Sequence, residues 1–211
     1  MNSSQNCRFC EIVDGKYHYN EVDEPFAAND AFIALASIGA LVEGWTLIIP
    51  KAHQLSMRNF YSNPLFSDFV KSVIPNLTHQ YGPLIAFEHG ANTEGSITAC
   101  GTDHAHLHLV PLGESLLPRL NASGLHWVKC KVSQIASKTG QNEYLFYCDL
   151  ASKGHWQDPE GYLHVLEYPI SQFFRRLIAD RKGKTEVSDY KFFPHLDVAL
   201  QTRRMLVSAF A

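Results

Sequence analysis

The stretch Asp103-His104-Ala105-His106-Leu107-His108-Leu109-Val110-Pro111 decides how the rest of this chain reads. Histidines at 104, 106 and 108 alternate with Ala105, Leu107 and Leu109. Successive side chains of a β-strand point to opposite faces, so an extended chain here puts three imidazoles on one face and apolar residues on the other. At a rise of roughly 3.3 Å per residue, neighbouring histidines stand about 6.6 Å apart. That spacing lets one ring attack an atom while the next grips the groups beside it. Histidine accounts for only 11 of 211 residues, so three in strict alternation against an apolar face are improbable by chance.

Outward from this segment, Leu84-Ile85-Ala86-Phe87 reads as a strand. Glu88 to Ser96 reads as a polar loop whose Gly90 and Gly95 let backbone amides approach an anion. Upstream, the apolar run from Ala31 to Ala36 and the β-former-rich run from Trp45 to Pro50 are two strands joined by a turn spanning Gly39 to Gly44. Phe66, Phe69, Val70, Val73 and Ile74 recur at helical spacing, and Pro75 is expected to end that helix. Downstream, residues 127–132 and 143–148 read as strands of a hairpin, with a third strand over 161–166. Ser171 is expected to cap a helix running to Ala179, and a last helix covers Asp197 to Phe210. The polar residues 1–6 are expected to fray.

The chain is long enough for one large domain, or one domain with an appendage, and 45% hydrophobic with 18% charged residues is ordinary for a protein with a core. A net charge of −3 gives no reason to expect broad nucleic-acid binding. No apolar run approaches a membrane span, and the first residues lack the pattern of a signal peptide. Five cysteines, an odd number that includes the pair Cys7-Arg8-Phe9-Cys10, argue against a secreted disulfide framework and for a reducing, cytoplasmic setting. The pair itself is either two thiolates on one cation or a redox couple. No βαβ pattern follows to favour the redox couple, and the metal reading needs two further ligands.

His-Ala-His-Leu-His-Leu-Val, ending in Pro111, resembles the signature of the histidine-triad (HIT) superfamily of nucleotide hydrolases and transferases. Leu47-Ile48-Ile49-Pro50-Lys51-Ala52-His53 resembles a second landmark of that superfamily, and together the likeness runs from about Cys7 to Leu112. It implies an α+β fold with a mainly antiparallel sheet and flanking helices. Residues 1–115 would form the HIT-like domain and 116–211 a C-terminal extension packed on it. The nucleophile falls to the middle histidine, His106, and His108 is placed to contact or protonate the leaving phosphate oxygens. The zinc-bearing branch, with its galactose-1-phosphate uridylyltransferase relatives, joins a Cys-x-x-Cys pair to two histidines. By that likeness Cys7, Cys10, His53 and His104 hold a structural zinc.

Lys51, Arg175 and Arg176 are the candidates for binding substrate phosphate, and Asn92 matches an asparagine that HIT proteins commonly carry. Two positions depart from the pattern. Ser37 stands where many members place an acidic residue to hold the ribose hydroxyls, and Cys100 stands where they have glutamine. The leading expectation is a HIT-type phosphoric anhydride hydrolase or nucleotidyltransferase that forms a covalent nucleotidyl-histidine intermediate. Its partner is a nucleotide or nucleotide-conjugate substrate, with a homodimer possible. The alternative is a nucleotide- or RNA-end-binding module with little turnover, and a third reading places all three triad histidines on one catalytic ion.

Overall fold

Phe32-Ile33-Ala34-Leu35-Ala36 and Thr46-Leu47-Ile48-Ile49-Pro50 are buried at every residue. Strands without a polar face need cover on both sides. The computed structural model describes residues 7–150 and 156–210 and provides that cover. The fraying expected of residues 1–6 lies outside the described residues. Strands β1 (Ala27–Ala28), β2 (Phe32–Ala36), β3 (Thr46–Pro50), β4 (Leu84–Gly90), β5 (Leu107–Pro111), β6 (Val128–Lys131), β7 (Tyr144–Leu150) and β8 (Glu160–Val165) form one sheet in the order β1-β2-β3-β5-β4-β7-β8-β6. Each pairing is antiparallel. The helices are α1 (Arg8–Val13), α2 (Pro64–Tyr81), α3 (Leu117–Ala122), α4 (Ile135–Thr139), α5 (Phe173–Arg181) and α6 (Leu196–Phe210). The class is α+β, as expected.

Register decides which residues share a face. Leu47 and Phe87 both lie opposite His108, so Trp45, Leu47, Phe87 and His108 point the same way. That face packs against Phe9 and Ile12 of α1, Leu120 of α3, and Phe174 and Ile178 of α5. Phe32, Ile48, Ala86, Leu107 and Leu109 point to the other face, where Phe66, Phe69, Val70 and Val73 of α2 cover them.

Several local expectations are corrected. Pro75 lies inside α2 instead of ending it. An interior proline costs about 3 kcal/mol. The six buried apolar side chains of α2 each contribute roughly 1.5 kcal/mol or more, so packing outweighs the break. The helix starts on Asn63, whose side chain accepts from the Leu65 amide at 2.9 Å, with Pro64 at the first position.

The strands over 127–132 and 143–148 do not form a hairpin, because β8 sits between β6 and β7 and pairs with both. Lys129 and Lys131 of β6 are exposed, a composition suited to the sheet edge it occupies. Ser171 does not cap α5. The cap position is Gln172, left-handed at φ 51°, and its amide donates to Cys100 Sγ at 3.1 Å.

The expected polar loop at Glu88 is the end of β4, laddered to β7 as far as Gly90. Glu88 is buried, accepting from Tyr61 Oη, Tyr144 Oη and the Met57 amide at 2.6 Å each. Gly90 serves packing, since a Cβ there would stand 2.1 Å from the Tyr144 ring. The Gly95 amide is taken by Asp103 at 2.8 Å, so this loop does not form the expected anion cradle.

Residues beyond 115 continue the same sheet through β6, β7 and β8, and α5 folds back over the face that carries His108. Among the described residues no helix is long and apolar enough to cross a membrane.

Candidate active site

Only Leu107–Pro111 of the triad segment is hydrogen-bonded into the sheet, so His104 and His106 stand in an extended lead-in to β5. The alternation holds nonetheless. Ala105, Leu107 and Leu109 enter the core beneath α2, while His106 and His108 face the other way with ring centroids 4.8 Å apart. His106 donates its Nδ1–H to the carbonyl oxygen of His104 at 2.8 Å. A carbonyl only accepts, so the proton of the neutral ring is on Nδ1 and Nε2 carries a free lone pair. Burial, and after it the Arg8 charge, holds the His106 pKa below the usual histidine value against the opposing His104 carbonyl.

His108 has the opposite tautomer. Trp45 Nε1–H donates to His108 Nδ1 at 2.9 Å, which leaves the ring proton on Nε2. The ring stacks on Phe87 at 4.3 Å, and burial keeps its pKa well below the ordinary value. Two neutral imidazoles thus stand side by side, one offering a lone pair and the next an N–H.

The lead-in also ties the triad to the N-terminus. Cys7 caps α1 and Cys10 lies one turn on, so both thiols emerge on the same side of the helix. Cys7 Sγ is 3.2 Å and Cys10 Sγ 3.6 Å from His104 Nδ1, and Cys10 Sγ is 3.3 Å from His53 Nδ1. The four donor atoms lie within 4.8 Å of one another. Tetrahedral arms of 2.0–2.3 Å would give edges of roughly 3.3–3.8 Å, so the set fits a four-coordinate metal. His104 Nε2–H donates to the Pro50 carbonyl at 2.8 Å, fixing the tautomer that turns Nδ1 toward the thiols. Burial and the neighbouring Cys7 push the Cys10 thiol up to about 12, the cost of two thiolates side by side without a cation. The third sequence reading is corrected here: His104 faces the thiols while His106 turns its Nδ1 to a backbone carbonyl, so the triad does not converge on one ion.

A cavity of about 230 Å³ opens in front of His106 and His108. Of the expected site residues it brings together His106, His108, Ser37 and Arg175. Ser37 is buried at its edge, its hydroxyl donating to the Ile38 carbonyl at 3.1 Å. Arg175 Nη1 donates to the Gly39 carbonyl, and its guanidinium lies 4.8 Å over the Trp45 ring. Burial lowers the Arg175 pKa to about 10, which leaves it charged at neutral pH.

Lys51, Asn92 and Arg176 do not line this cavity. Lys51 sits at the bend after β3, Asn92 faces a separate cleft with Arg58 and Gln141, and Arg176 points to solvent on the outer side of α5.

Four residues of the cavity went unnoticed in the sequence. Arg8 enters because the Cys-x-x-Cys turn carries it there, its guanidinium paired with buried Asp23. Trp45 orients His108, and Tyr190 closes the far wall with its hydroxyl on the Cys100 carbonyl at 2.5 Å. His89 lies on β4 two residues beyond Phe87, and its parity with Phe87 is the signal that would have found it.

No protein-family model matches the chain. It is 28% identical over 116 residues to an uncharacterized HIT-like protein of Mycoplasma genitalium, covering 54% of this chain and 78% of that one. It is 26% identical over 116 residues to Protein hit of Bacillus subtilis, covering 53% and 74%. A solved structure, a hypothetical histidine triad nucleotide-binding protein from Sulfolobus tokodaii, is similar at 21% identity over 50% of this chain and 68% of that one, with a TM-score of 0.40. Three alternating histidines, two of them side by side at a cavity, stand in a chain that is similar to two HIT proteins over half its length.

Proposed function

We propose that the chain is a nucleotide hydrolase or nucleotidyltransferase in which His106 attacks the α-phosphorus of its substrate. One observation carries this reading: the His106–His104 carbonyl hydrogen bond, which puts the lone pair of the middle histidine on the nitrogen that is free. In the first step an Nε2–P bond forms and the P–O bond to the leaving group breaks, the leaving oxygen keeping the electron pair. The His106 ring becomes cationic, and the His104 carbonyl stabilises it through Nδ1–H. In the second step the oxygen of water, or of an acceptor phosphate, bonds to phosphorus and the N–P bond breaks. When water is the acceptor, its proton leaves with the product phosphate or to solvent, and His106 returns to its neutral form.

His108 Nε2–H is placed to hydrogen-bond the leaving oxygen, and Arg8 and Arg175 supply the positive charge a phosphate needs. The cavity is smaller than the roughly 300–1,000 Å³ of sites that enclose a whole ligand. It suits phosphate groups, with the nucleoside at its mouth beside Ser37 and Ile38.

Cys7, Cys10, His53 and His104 would hold a zinc ion. Closed by four protein ligands, it supplies charge neutralisation and cross-linking rather than Lewis acidity toward substrate. The residues around it keep α1 against the lead-in to β5, so that Arg8 and Phe9 border His106. His106→Asn is expected to abolish release of nucleoside monophosphate from a dinucleoside polyphosphate or nucleotide sugar that the wild type turns over. Wild-type turnover by that variant would overturn the assignment.

A further inference from the structure

His89 is 6% exposed, and neither ring nitrogen has a hydrogen-bond partner among the described residues. A buried polar group left unpaired pays its desolvation cost without return, so a wholly unpaired imidazole points to a partner that arrives from outside. Its place follows from register. Phe87 lies opposite His108, and continuing the antiparallel pairing two residues brings His89 opposite His106 on the same face. The ring is fixed edge-on to Phe87 at 5.8 Å, Phe174 at 5.2 Å and His108 at 6.3 Å, and it lines the cavity.

Arg175, itself 6% exposed, lines from α5 the same cavity as His89 and His108. The cavity walls carry Arg8, Arg175, His89, His106 and His108, and no aspartate or glutamate among the described residues. Arg8 is paired with Asp23 and His106 presents a lone pair, which leaves Arg175, His89 and His108 to face bound phosphate.

The tautomer of His108 limits the leaving group. Its Nδ1 is occupied as acceptor from Trp45, so the ring carries a single proton, on Nε2. Giving that proton away would leave an imidazolate, which is unavailable near neutral pH. His108 therefore donates a hydrogen bond without completing a proton transfer, and the leaving group must depart as a stable anion. A phosphate does so, whereas an amine does not.

We propose that His89 and Arg175 form a second phosphate subsite, which holds the phosphate on the far side of the scissile bond and selects P–O–P anhydrides over P–N amidates. This deepens the nucleophile reading above and rests on it. In the balanced step the Nε2–P bond to His106 forms, the bridging P–O bond breaks, and the leaving phosphate keeps the electron pair between the His89 ring and the Arg175 guanidinium.

Two measurements on the full chain test it. The first compares kcat/KM on two substrates that share a nucleoside monophosphate, one a dinucleoside polyphosphate and the other a nucleoside phosphoramidate. The wild type is expected to favour the anhydride by about 100-fold. His89→Gln and His89→Leu are expected to lose at least about tenfold on the anhydride, with a loss on the amidate at least fivefold smaller. The second is calorimetry with inorganic pyrophosphate, which needs no turnover. Affinity is expected to fall at least about tenfold in His89→Leu, with a melting transition confirming that the variant is folded. Equal losses on both substrates, a preference for the amidate, or pyrophosphate binding unchanged in the folded variant would each overturn the proposal. An anhydride preference without a His106 adduct would instead remove the nucleophile reading, and the pyrophosphate result would stand apart from it.

Discussion

Trp45 reaches His108 across two strands, its indole Nε1–H lying 2.9 Å from the imidazole Nδ1. The indole is fully buried and cannot accept a hydrogen bond, so the direction of this contact, and with it the His108 tautomer, has no alternative. Trp45→Phe removes the constraint. Turnover of a phosphate-leaving substrate is expected to fall about tenfold, the order of one hydrogen bond to the leaving oxygen. The ratio of amidate to anhydride turnover is expected to rise, because His108 Nδ1 is then free to take a proton from water as Nε2 gives one up. Steady-state kinetics on the two substrates check both, and an unchanged ratio would show that the indole does not set the tautomer.

Removing one donor of the Cys7–Cys10–His53–His104 set tests the proposed zinc site. Cys7→Ser is expected to drop bound zinc from one per chain to none by atomic spectroscopy. The melting temperature is expected to fall by about 10 °C, the loss of roughly 3 kcal/mol in a chain of this size. Full zinc retention in Cys7→Ser would remove Cys7 from the ligand set.

Gly39 is where the C-terminal residues meet the cavity. At φ 71° its missing Cβ would stand 2.3 Å from Tyr190 Cβ and 3.1 Å from Arg175 Nη1. Gly39→Ala is expected to raise KM several-fold by displacing Arg175 and Tyr190, and to lower the melting temperature by about 5 °C. A variant with wild-type KM would mean that these two side chains do not shape the substrate site.

Burial, and then the neighbouring His106, Arg175 and Arg176 charges, lower the His89 pKa from 6.5 to about 3. Between those values the unfolded chain binds a proton that the folded chain refuses. The contribution of a neutral His89 to stability is therefore fully present above about pH 6.5 and is lost as the pH falls toward 3. His89→Gln removes that proton site. Melting curves of the variant are expected to fall less steeply than wild type between pH 6.5 and 4.5, with equal slopes above pH 7. Parallel curves throughout would mean that His89 is already protonated in the folded state.

The strands, the triad face and the Cys7–Cys10–His53–His104 set were legible because each rests on local spacing or a short motif. The path of the sheet was not. Nothing in residues 127–148 says that β8 will insert between β6 and β7, since strand order is set by partners far along the chain. Pro75 misled because a local rule was overridden by the side chains of α2 that the core buries. His89 and Trp45 stayed hidden for a related reason. Each becomes a site residue only through its register with β5, and register is a tertiary property. Arg8 was visible as a letter between two cysteines, but its arrival beside His106 depends on the fold of α1 around Cys7 and Cys10.

The most direct test of the nucleotidyl-histidine step is to trap it. Wild-type protein is mixed with a dinucleoside polyphosphate or nucleotide sugar, quenched in alkali to preserve an acid-labile phosphoramidate, digested and read by mass spectrometry. A nucleoside monophosphate increment on the peptide containing His106, absent from His106→Asn, is the expected result. Turnover of the same substrate with no adduct, or an adduct on another residue, would contradict it.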